Sequence, residues 1–190
     1  MLDLSHLRIF TRIVTIGSIS GAARSLGCTI ERICAETGYE RVHVVGHSLG
    51  GLIARYYVQC AGGDARVHTL ATLGTPHAGT HAAHLAVGTV ARQLRPGSAL
   101  MRELAAPAAG CRTRFVSIYS DLDQLVIPRD SARLDHPDLV VRNVLRRGVG
   151  HLSLPFDRRA VHEIVTALAH LDTDGATLVR AVSSLPPASA

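Results

Sequence analysis

The feature that most constrains this chain is an apolar run that ends on a serine set between glycines. Val42-His43-Val44-Val45 passes into Gly46-His47-Ser48-Leu49-Gly50-Gly51, and that into Leu52-Ile53-Ala54-Arg55-Tyr56-Tyr57-Val58, which suits a helix. Strand, sharp turn, helix is the setting in which Gly-x-Ser-x-Gly forms a nucleophile elbow. The serine takes a strained backbone, and Gly46 and Gly50 are expected to remove side chains that would clash there. A serine becomes a nucleophile only beside a base, and the base needs an orienting acid. In folds built around this elbow the three follow in the order serine, acid, histidine.

The rest of the chain supplies that order. Val67 to Leu73 runs into Gly74-Thr75-Pro76-His77-Ala78-Gly79, and Phe115 to Tyr119 into Ser120-Asp121-Leu122-Asp123. Leu139 to Leu145 runs into Gly148-Val149-Gly150-His151, and Ala160 to Leu171 follows with apolar residues at helical spacing. Near-continuous apolar strands separated by helices indicate an α/β fold with a parallel sheet. Asp123 and His151 then fall at the carboxyl ends of strands, where open α/β sheets place their sites. Asp121 competes with Asp123 for the acid role. The Ala-rich stretch from His81 to Ala109 is helical in propensity and reads equally as a cap over the site or as a crossover helix.

Composition excludes several function classes. With 190 residues the expectation is a single core-bearing domain, and 47% hydrophobic against 18% charged residues excludes a disordered or low-complexity protein. The net charge of +5 comes from 20 basic residues, all Arg, spread from Arg8 to Arg180 without a block, so no nucleic-acid stripe is indicated. Cys28, Cys34, Cys60 and Cys111 have neither zinc-ligand nor C-x-x-C spacing. His77, His81 and His84 could share a helix face, but no carboxylate nearby supports a metal site. No metal site is expected. Neither a bilayer-crossing run nor a signal-peptide order is present, which makes a cytoplasmic location the default expectation.

The segment from about 30 to 171 resembles the α/β-hydrolase lipases and esterases of bacteria. The resemblance rests on Val45-Gly46-His47-Ser48-Leu49-Gly50-Gly51, on Leu73-Gly74-Thr75-Pro76-His77-Ala78-Gly79-Thr80, on the acid loop from Ser117 to Pro128, and on Gly148-Val149-Gly150-His151. It implies a carboxylic ester or lipid substrate, no metal or organic cofactor, Ser48 as nucleophile, His151 as base and Asp123 as orienting acid, since the family's acid precedes a short apolar pair such as Leu125-Val126. The backbone N–H of Leu49 would be one oxyanion donor, and a second should come from a loop after an earlier strand. Only 41 residues precede Val42, too few for the two βα units the family places there.

Residues 1–29 resemble something else. Leu2-Asp3-Leu4-Ser5-His6-Leu7-Arg8-Ile9-Phe10 and Gly17-Ser18-Ile19-Ser20-Gly21-Ala22-Ala23-Arg24-Ser25-Leu26 are similar to the opening of LysR-type regulators, whose recognition helix would begin near Thr29. That helix is replaced by hydrolase-like sequence, so specific nucleic-acid binding is not expected. The domain reading is therefore a helical segment over 1–29, a hydrolase domain over 30–171 and a flexible tail over 172–190. The fold expected is an incomplete α/β hydrolase of about four mostly parallel strands flanked by helices, truncated at its front and joined to a regulator's opening. Its apolar edge at Val42 to Val45 would be exposed and prone to self-association. The alternatives kept beside an active lipase or esterase are a catalytically impaired remnant and, last, a DNA-binding regulator fragment.

Overall fold

A computed structural model describes residues 17–169. The first element, α1 (Ile19–Thr37), is capped by Ser18, whose Oγ accepts from the Gly21 N–H at 3.1 Å. It ends at Gly38, left-handed at φ 75°, whose N–H donates to the Cys34 carbonyl at 2.9 Å. Ile19, Ala22, Ala23, Ile30 and Cys34 form its buried face. The helix runs unbroken across Thr29, and a single apolar stripe serves both halves. A β-carbon on Gly27 would stand 2.7 Å from Tyr57 Cε2, so the absence of a side chain lets α1 approach the next helix closely. The expected segment before Gly17 and the tail after Ala169 lie outside the described residues.

Four strands follow: β1 (Val42–His47), β2 (Val67–Leu73), β3 (Arg114–Ser120) and β4 (Val140–Arg146). They form one parallel sheet in the order β1-β2-β3-β4, with Gly46 opposite Thr72, Leu73 opposite Ile118 and Ser117 opposite Asn143. The two inner strands are buried almost throughout, while β1 and β4 are only half-buried, as edge positions require. β1 pairs with β2 alone among the described residues, and Val45 is 49% exposed.

Helices cover both faces. On one, α2 (Leu49–Cys60) and α1 pack Leu52, Ile53 and Tyr57 against Leu70 and Phe115. On the other, Ala71, Leu73, Val116 and Ile118 meet Leu154 and α5 (Arg158–Ala169) through Ala160 and Ile164. Full burial of a side chain such as Leu52, Leu70 or Phe115 contributes roughly 1.5–3 kcal/mol. Asp157 starts α5, accepting from the Ala160 N–H and from Arg146 Nε, both at 2.9 Å.

The stretch from His81 to Ala109 is not one helix. It consists of a 3₁₀ turn (His81–His84), α3 (Thr89–Leu94) and α4 (Ala99–Leu104), interrupted at Gly88 (φ 105°) and Gly97 (φ 69°). Leu100, Met101 and Leu104 join the same core as α2, and α4 packs against α2 within the connection from β2 to β3. No described helix is long and apolar enough to cross a membrane.

Candidate active site

The chain turns sharply from strand to helix at Ser48. Ser48 sits between β1 and α2 at φ 53°, ψ −125°, and among the described residues it is the one non-glycine with positive φ. Its backbone is over-determined: the N–H donates to the Leu73 carbonyl at 2.8 Å, and the carbonyl accepts from the Thr75 hydroxyl at 2.9 Å. The glycines that permit the turn are not the expected pair. A β-carbon on Gly46 would stand 2.5 Å from Gly51 Cα, and one on Gly51 would stand 2.0 Å from Thr75 Oγ1. One on Gly50 meets no neighbour outside its own helix, so the crowded residues are Gly46 and Gly51.

Asp123 and His151 meet directly. His151 Nδ1 lies 2.6 Å from Asp123 Oδ2, both side chains are almost fully buried, and Asp123 Oδ1 accepts from the N–H groups of Leu125 and Val126 at 2.8 Å each. Burial alone would push the Asp123 carboxyl up; the hydrogen bond from His151 and those from Val126 and Leu125 outweigh it and hold the group below its ordinary range. The competing Asp121 has another task, because its Oδ1 accepts from the Gly148 N–H at 2.8 Å. Together with the Ser120 hydroxyl, which donates to the Val149 carbonyl, it ties the histidine loop to the end of β3.

Residues on either side of the elbow touch the pair. The ring of His47, the preceding residue, lies 4.8 Å from that of His151, and its Nε2 is 3.1 Å from the His151 carbonyl oxygen. A carbonyl can only accept, so His47 carries its proton on Nε2. Burial lowers the His47 pKa despite that hydrogen bond, which favours a neutral ring beside His151. Gly74, just past the residue that holds the Ser48 N–H, has φ 54° and packs closely on the base: a β-carbon there would stand 3.0 Å from His151 Nδ1. No hydrogen bond joins the Ser48 hydroxyl to His151 among the described residues; such contacts are often long before substrate binds. Leu49 opens α2, so its N–H has no intrahelical partner and lies directly after the serine. Before β1 the described residues contain only α1, and no earlier strand-to-helix loop supplies a second donor.

Comparisons with known proteins agree with this geometry at the level of fold. The profile of the palmitoyl protein thioesterase family matches residues 18–109, starting inside the segment that resembles a regulator. A triacylglycerol lipase of Pseudarthrobacter phenanthrenivorans is 36% identical over 61 residues, which are 32% of this chain and 18% of that lipase. The mature form of a Bacillus licheniformis lipase superposes with a TM-score of 0.58 at 16% identity, covering 73% of this chain and 72% of that one. An α/β-hydrolase enzyme from a sediment metagenome of the Mar Chica lagoon gives 0.54 at 17%, covering 79% and 68%.

The fold is that of an α/β hydrolase. Its matching lipase relative supports a hydrolase at the coarse level, over a short shared segment. Within this fold several positions matter that the motif alone does not mark. Thr75 clamps the elbow, and Thr80 holds the acid loop by donating to the Leu125 carbonyl at 2.8 Å and accepting from the Ile127 N–H at 2.9 Å. Their signal was the Gly74-Thr75-Pro76 loop itself, whose threonines follow a buried strand. The three histidines at helical spacing separate: His77 is buried and paired with Thr72, whereas His81 and His84 stack with centroids 6.0 Å apart.

Proposed function

We propose that this α/β hydrolase cleaves carboxylic esters, acyl glycerols or simple esters, by covalent catalysis through Ser48, His151 and Asp123. The observation that carries the reading is the buried 2.6 Å contact of His151 Nδ1 with Asp123 Oδ2, next to a serine held at positive φ. Asp123 fixes the proton on Nδ1 and leaves Nε2 free to take the Ser48 proton. The Ser48 oxygen then adds to the ester carbonyl, and the developing oxyanion is met by the Leu49 N–H at the amino end of α2. Collapse of the adduct expels the alcohol, which receives the proton from His151. Water, activated by the same imidazole, releases the acid and restores Ser48.

A thioester is a second substrate class, favoured by the match of residues 18–109 to the palmitoyl protein thioesterase profile. The same addition and collapse would expel a thiol. Hydrolysis of p-nitrophenyl butyrate and of a butyryl thioester is to be compared in the folded wild type and in Ser48→Ala. Turnover present in wild type and lost in Ser48→Ala supports the reading, and the ratio of the two rates assigns the substrate class. Equal background in both proteins refutes it.

A further inference from the structure

Two turns beyond Ser48 on α2, Arg55 is buried to 3% exposure with no carboxylate partner among the described residues. Its three hydrogen bonds all go to neutral oxygens: Nε to Gln59 Oε1 at 2.6 Å, Nη1 to the His77 carbonyl and Nη2 to the Leu104 carbonyl, both at 2.9 Å. A guanidinium has five N–H groups, so two are unused, one on each terminal nitrogen. Burial lowers its pKa only to about 10, which leaves it cationic at neutral pH. Buried charges are ordinarily paired, because removing an ion from water is expensive.

Arg55 does not face solid core. It lines a cavity of about 640 Å³ under α4, of the size small-molecule sites occupy. His77 lines the same cavity, is 5% exposed, and has a buried Nδ1 with no hydrogen-bond partner. Its Nε2 is paired with the Thr72 hydroxyl at 3.0 Å, so Nδ1 is the ring nitrogen left without a partner. Met101 and Ala105 supply apolar wall. The exposed lining carries two charges of each sign, Arg102 and Arg133 against Asp130 and Asp135, so the buried group sets the sign.

We propose that this cavity binds a small organic carboxylate, its two oxygens on the unused N–H groups of Arg55 and its apolar body along Met101 and Ala105. One buried cation matches a monoanion, whereas a dianionic phosphate would bring a charge that nothing buried there offsets. The planar fork of a guanidinium suits a carboxylate's geometry. The site is separate from Ser48, and its occupation does not depend on ester hydrolysis.

The test is titration calorimetry of the full chain with hexanoate, hexylamine and inorganic phosphate. Two cavity variants are compared: Ala105→Trp fills the cavity while leaving Arg55 and its partners intact, and Arg55→Met removes the cation. Hexanoate is expected to bind about tenfold or more tighter than either other probe, and to lose about tenfold or more in both variants, by exclusion from the filled cavity in Ala105→Trp and by loss of a charge-assisted hydrogen bond in Arg55→Met. Ser48→Ala should bind it as wild type does, and bound hexanoate should not compete with p-nitrophenyl butyrate if that ester is turned over. The proposal is overturned by absence of hexanoate binding, by equal binding of hexylamine, by tighter binding of phosphate, by competition with the ester, or by undiminished affinity in Ala105→Trp. That last variant decides the matter even if Arg55→Met fails to fold.

Discussion

Replacing Asp123 by asparagine separates orientation of the base from mere presence of a polar group. The carboxylate has two sides: Oδ1 accepts from the Leu125 and Val126 N–H groups, and Oδ2 accepts from His151 Nδ1. An amide offers one oxygen and one NH₂. If the NH₂ turned to the two backbone donors, two hydrogen bonds to a charged acceptor would be lost, about 1.5–3 kcal/mol each. The amide oxygen therefore stays on the backbone and the NH₂ faces His151, which must then accept at Nδ1 and carry its proton on Nε2. In that tautomer His151 cannot take the Ser48 proton. The expected loss is about 10⁴ in kcat, the scale known for this change in serine proteases, equivalent to about 5.5 kcal/mol of barrier. The assay is kcat and KM for p-nitrophenyl butyrate at pH 7.5, with urea unfolding to establish that the variant is folded. Asp121→Asn is the control: it weakens one exposed bond to the Gly148 N–H, about 1 kcal/mol, and should lower the rate by less than about tenfold. A folded Asp123→Asn protein within tenfold of wild type, beside an inactive Ser48→Ala, would refute the tautomer argument.

Three further outcomes follow from particular contacts. Gly51→Ala places a methyl where Thr75 Oγ1 is 2.0 Å away and should lower the urea midpoint by the equivalent of about 3 kcal/mol or more, whereas Gly50→Ala, a helix position with open space, should change stability by no more than about 1 kcal/mol. Burial, with the Arg55 charge adding to it, holds the His77 imidazole well below its ordinary range. The unfolded chain therefore binds the proton that the folded one refuses, and stability should fall as pH drops below about 6.5, by at most about 1.4 kcal/mol per pH unit. His77→Gln should flatten that slope in unfolding curves taken between pH 7.5 and 5. Asp123 acts lower: its depressed carboxyl contributes stability above about pH 4 that disappears as pH falls through its folded value. His47→Phe keeps a ring against His151 but deletes the Nε2–H donor to its carbonyl, about 1 kcal/mol, and should reduce kcat roughly fivefold with KM unchanged.

Which parts of this molecule were legible in the sequence follows from the range over which each is determined. β2 (Val67–Leu73) is buried almost throughout because both its faces are covered, and its bounds could be read directly. β1 extends two residues past its apolar run, to His47, because Gly46 and His47 pair with Thr72 and Leu73 of the neighbouring strand. The elbow is a local motif, and Ser48 was visible in it; which glycine the turn needs is not local. Gly51 is crowded by Thr75, which β2 delivers from 24 positions further along the chain. Likewise the helical propensity of His81 to Ala109 is real, but Gly88 and Gly97 at positive φ break it into pieces. Asp123 and His151 could be ordered by motif, yet their contact depends on fastenings the motif does not contain. The histidine loop is tied to β3 through Ser120 and Asp121, and the acid loop is tied by Thr80 to the loop after β2. Three loops from three strand ends are thus held to one another by side chains of Ser, Asp and Thr whose composition resembles ordinary turns. Reading such residues as turn formers describes each loop correctly and misses that each also sets the position of its neighbour.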